Sequence, residues 1–284
     1  MSIALTRNFS IEATRPSPME IEAVAGILER DSEVYLSAVP TQTFTQHVEL
    51  AAQVRRAGLQ PVVHVSARRL AGEAELANFL ARLRAEADVS RVLVIAGDSA
   101  VSGPFQDALA VIRSGALQRA GIGHVGIAGY PEGHATIAPD LLEATLRDKI
   151  AAAAEGGLGL QIVSQFSFSP DNIVGWLKRL RAAGISAPVK VGMAGPTSIP
   201  ALLRYAKRCG VNASLKGLMS GAAASLLAGS VGPDRIIKAL ADAGDEIGDA
   251  APHYFSFGGV AETARYARET ARDVALADKA AAAS

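Results

Sequence analysis

Four short apolar runs each end on, or run straight into, polar groups that could do chemistry. Phe9-Ser10-Ile11 ends at Glu12, and Val92-Leu93-Val94-Ile95-Ala96-Gly97 ends at Asp98. Val125-Gly126-Ile127-Ala128 runs into Gly129-Tyr130-Pro131-Glu132-Gly133-His134, and Leu160-Gln161-Ile162-Val163-Ser164 ends at Gln165. Charges scattered along helices usually make solvated faces. Polar groups repeated at the ends of buried strands point to one shared site, because in parallel α/β folds the carboxyl ends of the strands open onto the same crevice or mouth.

Each residue has a chemical reading and a plainer one. A carboxylate placed like Glu12 is partly desolvated, which raises its pKa and suits it to general acid work. The plainer reading is an ion pair with Arg7 or Arg15. Asp98 follows Gly97, and a glycine lets a ligand approach the backbone closely. As a structural residue Asp98 would cap the next helix, a role open also to Ser99 and Ser102. His64, inside Val62-Val63-His64-Val65, is either a satisfied core histidine or a ligand contact. Tyr130, Glu132 and His134 bring a ring, a carboxylate and an imidazole within five residues. Glu132 and His134 alone are too few ligands for a metal site, and no metal is expected. Gln165, beside Phe166 and Phe168, carries an amide that donates and accepts together and so can read a planar heterocycle. The alternative is ordinary packing at a strand end.

These residues need a scaffold, and strand-like and helix-like segments alternate along the chain. Eight strands are expected at Arg7 to Glu12, Glu33 to Val39, Pro61 to Ser66, Arg91 to Gly97, His124 to Ala128, Leu158 to Gln165, Pro188 to Met193 and His253 to Phe257. They are apolar at nearly every position, as strands buried on both faces are. Between them lie amphipathic or Ala-rich helical segments: Glu20 to Arg30, Gln46 to Ala57, Glu73 to Glu86, Phe105 to Arg119, Leu141 to Glu155, Asp171 to Ala183, Ile199 to Arg208 and Val260 to Ala275. Eight repeats of strand then helix predict an α/β fold, a (β/α)8 TIM barrel. The competitor is a doubly wound open sheet, which usually carries G-x-G-x-x-G after the first strand; here that place reads Ala13-Thr14-Arg15-Pro16-Ser17-Pro18. The stretch from Leu202 to Ala243, interrupted around Gly229 to Pro233, predicts extra helices before the last strand. Residues 1–275 are expected to form a single barrel domain, with a disordered tail over 276–284.

Composition narrows the function classes. Among 284 residues, 28 Lys and Arg balance 28 Asp and Glu, and no basic run exceeds two residues, so a nucleic-acid partner is not expected. The single cysteine, Cys209, excludes an internal disulfide; its helical surroundings suggest packing as a small apolar residue rather than nucleophilic work. No apolar stretch approaches the roughly 20 residues needed to cross a bilayer, and the start of the chain lacks a signal-peptide layout, so a soluble cytoplasmic protein is expected. G-x-S-x-G, H-E-x-x-H and P-loop patterns are absent from the sequence.

Taken in order, these segments resemble the methylenetetrahydrofolate reductases. Gly129-Tyr130-Pro131-Glu132-Gly133-His134 is similar to the family's Tyr-Pro-x-x-His signature, Ser164-Gln165-Phe166 to its Thr-Gln-Phe/Leu-Phe, and Gly97-Asp98 to its Arg-Gly-Asp. His64, Glu12 and Lys149 match a third-strand histidine, a first-strand glutamate and a helix lysine. The resemblance implies a barrel that holds FAD and reduces 5,10-methylenetetrahydrofolate to 5-methyltetrahydrofolate with NADH or NADPH by a ping-pong route. It implies Glu12 as general acid and Asp98 as a catalytic residue that also contacts the flavin. It implies Gln165, Phe166 and Tyr205 around the folate, and His64, Gly97, Tyr130, Glu132, His134 and Lys149 around the flavin. A homo-oligomer is expected. Two variants of the reading are a sibling enzyme oxidising 5-methyltetrahydrofolate and a flavin-free, pterin-binding methyltransferase barrel. The chain departs from the family at Ala13-Thr14-Arg15-Pro16, where an aromatic-proline run is usual, at Ala96 in place of arginine, and at Ala135 in place of proline.

Overall fold

The computed structural model describes residues 8–100, 103–208 and 233–282. Its strands are β1 (Ser10–Ala13), β2 (Glu33–Leu36), β3 (Gln60–Ser66), β4 (Arg91–Ile95), β5 (His124–Gly129), β6 (Gly159–Ser164), β7 (Val189–Ala194) and β8 (Ala250–Phe255). They hydrogen-bond in sequence order as a closed barrel. The helices are α1 (Pro18–Ile27), α2 (Phe44–Arg56), α3 (Glu73–Ala87), α4 (Ala108–Arg113), α5 (Ala116–Arg119), α6 (Pro139–Glu155), α7 (Pro170–Ala182), α8 (Ile199–Arg208), α9 (Asp234–Ala243) and α10 (Val260–Ala282). This is the expected (β/α)8 arrangement.

Two compact units divide the described residues. The first holds residues 12–100, 103–129 and 140–163. In it β2, β3, β4 and β5 pair in parallel, with Tyr35 opposite Val62, His64 opposite Leu93, and Leu93 opposite Gly126. Tyr35, Val62, Leu93 and Val163 form a buried cluster on one face of these strands. The opposite faces are also covered, which is why the strands read as continuous apolar runs. Helix α1 starts with a capping box: Ser17 Oγ accepts from the Glu20 amide while the Glu20 carboxylate accepts from the Ser17 amide. Thr43 and Gln46 do the same for α2. The cap moves the start of α2 ahead of the expected Gln46, because Thr43 satisfies the end donors of a turn that the apolar periodicity does not mark.

Phe105 to Arg119 does not form one helix. It divides into α4 and α5 at Gly115, whose φ of +72° is left-handed and closes the first helix. The cap of α4 is Asp107, whose side chain accepts from the Ala110 amide at 2.9 Å; the sequence had offered Asp98, Ser99 or Ser102 for that role.

The second unit holds residues 8–11, 130–139, 164–208 and 233–282. Here β7 and β8 pair in parallel, with Gly192 opposite His253 and Ala194 opposite Phe255. Tyr254, on the alternate face of β8, packs edge-on against Tyr266 of α10 at 5.9 Å between centroids. Helix α9 and a short 3-10 turn (Gly244–Ile247) precede β8, in line with the extra helices expected there. Cys209 lies outside the described residues. Helix α10 runs to Ala282. Among the described residues no helix is long and apolar enough to cross a membrane.

Candidate active site

In the first unit, the end of β1 places Glu12 against β2 and β3. The residue is 9% exposed. Ser37, the first residue past β2, donates its hydroxyl to Glu12 Oε1 at 2.6 Å. A backbone bond from the Ser37 amide to the Ala13 carbonyl at 3.2 Å fixes that alignment. The other carboxylate oxygen, Oε2, faces His64 Nε2 at 3.4 Å, outside hydrogen-bonding geometry, so the buried Nε2 is left without a hydrogen bond. A buried polar nitrogen in that state costs free energy until something pairs with it. The His64 ring meets Tyr35 edge-on at 6.4 Å, and the Tyr35 hydroxyl accepts from the Gln161 side-chain NH2. Burial holds the Tyr35 hydroxyl well above the usual phenol range, so it stays protonated. Arg15, offered as a partner for Glu12, donates to Thr41 at 3.2 Å.

Gly97 lies beyond β4 with a φ of +85°. A methyl group there would overlap the Ser66 hydroxyl. The Ser66 hydroxyl therefore approaches this glycine closely. Asp98 is exposed, three residues past the end of β4. The Arg68 guanidinium, from the turn after β3, donates to the Gln106 carbonyl at 2.9 Å and to the Gly97 carbonyl at 3.5 Å. It thus sets a positive group at the strand end where Ala96 carries none. Lys149 on α6 is half-buried; desolvation lowers the pKa of its ammonium, and Asp107 opposes that shift. A hollow of about 270 Å³ between α2 and α3 is lined by Phe44, Glu75, Phe79 and Arg82 among others, and none of the candidate residues reaches it.

In the second unit, the Tyr130-Pro131-Glu132-Gly133 turn closes with a bond from the Gly133 amide to the Tyr130 carbonyl at 3.1 Å. It folds His134 back edge-on to Tyr130, at 5.1 Å between ring centroids. The Glu132 carboxylate accepts a hydrogen bond from the Ser167 hydroxyl. His134 Nδ1 accepts from the Thr136 backbone amide at 3.3 Å, which leaves Nε2 as the N–H donor of a neutral ring. Among the described residues no group of three or more His, Cys, Asp or Glu side chains could hold a metal ion.

Gln165 Oε1 accepts from the Phe166 amide at 3.0 Å, which leaves the NH2 end to donate. Phe166 is buried at the centre of a ring cluster: Phe168 at 5.5 Å, Phe255 at 5.4 Å and Phe257 at 5.0 Å. Tyr205 of α8 stacks on Phe257 at 4.2 Å. The structure thus joins Phe166 and Tyr205 through Phe257, a residue not singled out in the sequence. Ser37 was also missed. Its signal was present: it follows Val34-Tyr35-Leu36 as Glu12 and Gln165 follow their own apolar runs.

A family profile described as methylenetetrahydrofolate reductase matches residues 36–218. "Methylenetetrahydrofolate reductase 1" of Schizosaccharomyces pombe is 32% identical over 87 residues, which is 31% of this chain and 14% of that protein. Among solved structures, a Yersinia pestis DHPS with a pterine-sulfa conjugate superimposes with a TM-score of 0.52 at 11% identity, covering 97% of this chain and 96% of that one. At that identity the likeness speaks for the barrel fold alone. The profile covers well over half of the sequence, and the chain belongs to the methylenetetrahydrofolate reductase family.

Proposed function

We propose that this protein reduces 5,10-methylenetetrahydrofolate to 5-methyltetrahydrofolate with NADH or NADPH. The observation that carries the reading is Glu12: a buried carboxylate with one oxygen held by Ser37 and the other facing an imidazole nitrogen that has no hydrogen bond. Family membership implies FAD, and the residues present fit it, since the buried His64 Nε2 makes no hydrogen bond and has the Glu12 carboxylate beside it at 3.4 Å. By the resemblance, His64, Gly97, Asp98, Tyr130, Glu132, His134 and Lys149 would hold the flavin. FAD would supply two-electron storage between the pyridine nucleotide and the folate.

The chain's own side chains handle position and protons. Lys149 offsets phosphate charge from a half-buried place, where a cation is screened less than in water. The Gln165 NH2 group donates to the pterin, and the ring cluster around Phe166 offers an apolar face for stacking. Glu12 is buried, and the Ser37 hydroxyl that donates to its Oε1 holds the carboxyl group in place to give up a proton. Glu12 protonates a ring nitrogen of the folate, opening the five-membered ring to an iminium cation that accepts hydride at the methylene carbon. Exposed Asp98 favours that cation by charge.

The test is to follow the two half-reactions separately without oxygen. Glu12→Gln is expected to keep flavin reduction by NAD(P)H and to slow folate reduction about 10²–10⁴-fold, the usual contribution of a positioned acid. Folate reduction at the wild-type rate in that variant would sink the reading.

A further inference from the structure

A general acid must be reloaded after every turnover, and Glu12 is buried. The route outward is in the first unit. Ser37 Oγ donates to Glu12 Oε1 at 2.6 Å, and the Thr14 hydroxyl lies 3.1 Å from Ser37 Oγ. Exposure rises along the series: Glu12 is buried, Ser37 half-buried and Thr14 exposed. Since Ser37 spends its own hydrogen on Glu12, its oxygen is free to accept from Thr14, so both bonds can point inward. The spacing does not depend on loose side chains. Glu12 and Thr14 flank Ala13, whose carbonyl takes the Ser37 amide hydrogen at 3.2 Å.

We propose that Thr14 and Ser37 form a two-hydroxyl relay that returns a proton from solvent to Glu12. The proposal rests on Glu12 being the proton donor. After Glu12 has protonated substrate it is a carboxylate. Oε1 takes the Ser37 hydrogen, Ser37 Oγ takes the Thr14 hydrogen, and Thr14 Oγ takes one from hydronium or a protonated buffer molecule. Glu12 becomes a carboxylic acid again, both hydroxyls end neutral, and one proton has left the solvent. Rotation of the two hydroxyls resets the chain. His64, on the other carboxylate oxygen, Tyr35, whose hydroxyl feels the Glu12 charge, and Arg15, beside Thr14 and bonded to Thr41, are charged or titratable neighbours. None of the three interrupts the hydroxyl series.

The test uses the FAD-loaded enzyme with Thr14→Val and Ser37→Ala, and with Thr14→Ser and Ser37→Thr, which keep the hydroxyl. In dilute buffer, steady-state folate reduction by Thr14→Val and Ser37→Ala is expected to fall on the order of 10-fold, less than on loss of the acid itself. In Thr14→Val the loss is expected to spare the first turnover of pre-reduced enzyme and to be recovered as imidazole or formate buffer is raised. The hydroxyl-keeping variants are expected to turn over without buffer dependence. A readout independent of turnover is the infrared carboxyl band of Glu12 after a downward pH jump in ligand-free protein, which should form more slowly in Ser37→Ala. Unchanged steady-state turnover in both hydroxyl-free variants, or a loss in Thr14→Val that buffer does not recover, overturns the relay. Glu12→Gln separates the two levels. If it reduces folate normally in the first turnover, the acid assignment fails; if it does not, and Thr14→Val is indifferent to buffer, the relay alone fails.

Discussion

At the scale of single residues, burial and exposure decide how much each group can contribute. Glu12 is buried and held, so its removal should be felt in the rate. Asp98 is exposed, and its charge acts through water. Exposed charge pairs are worth up to about 1 kcal/mol, so Asp98→Asn is expected to weaken folate binding by no more than about 5-fold in an equilibrium titration. Gly97 offers a sharper test. Its left-handed φ and its packing on Ser66 both forbid a side chain, so Gly97→Ala is expected to cost about 1–3 kcal/mol in urea unfolding. Adding Ser66→Ala should recover part of that loss, because it removes the overlap and leaves the strained φ; full additivity of the two changes would disprove the contact as the cause. Glu12, Gln165 and Gly97 were legible in the sequence because each ends an apolar run. The bonds that define their roles were not: Ser37 is 25 positions from Glu12 and Ser167 is 35 from Glu132, separations at which no local rule operates.

At the scale of elements, the alternation of apolar runs with amphipathic segments was enough to place eight strands within a few residues of their ends. Ends shift where local hydrogen bonding outweighs hydrophobic pattern, as at Thr43 and Gly115. The α1 cap can be tested directly. Ser17→Ala removes the acceptor for the Glu20 amide and is expected to cost about 1 kcal/mol in unfolding free energy. Helix α2 buries His47, whose Nε2–H donates to the Leu36 carbonyl at 3.2 Å. Burial, reinforced by the nearby His64 ring, pushes the His47 pKa down to about 4. The unfolded chain then binds a proton below about pH 6.5 while the folded chain does not until about pH 4. This contribution is complete above pH 6.5 and is lost as pH falls toward 4, amounting to up to about 3 kcal/mol. Comparing wild type with His47→Gln in urea at pH 7 and pH 4.5 isolates it. The wild type should lose more stability than the variant on acidification, and equal losses would refute the assignment.

At the scale of the whole molecule, a cofactor that binds only the folded chain must stabilise it. FAD at about 100 times its dissociation constant contributes roughly 2.7 kcal/mol, which for a chain of this size is about 5–10 °C in the unfolding midpoint. FAD-stripped protein is therefore expected to melt higher when FAD is returned and to take on flavin colour. A midpoint indifferent to FAD would count against the flavin reading without touching the fold. By itself the sequence determined the barrel class, the parallel order and the strand ends that carry polar groups, because those follow from short-range periodicity and from where apolar runs stop. Only the tertiary structure decided what those groups do to one another. It set Ser37 and His64 on the two oxygens of Glu12, packed Gly97 against Ser66 and joined Phe166 to Phe257. Those pairings depend on register between strands far apart in the chain, and register is settled by the packing of the whole core rather than by any one segment.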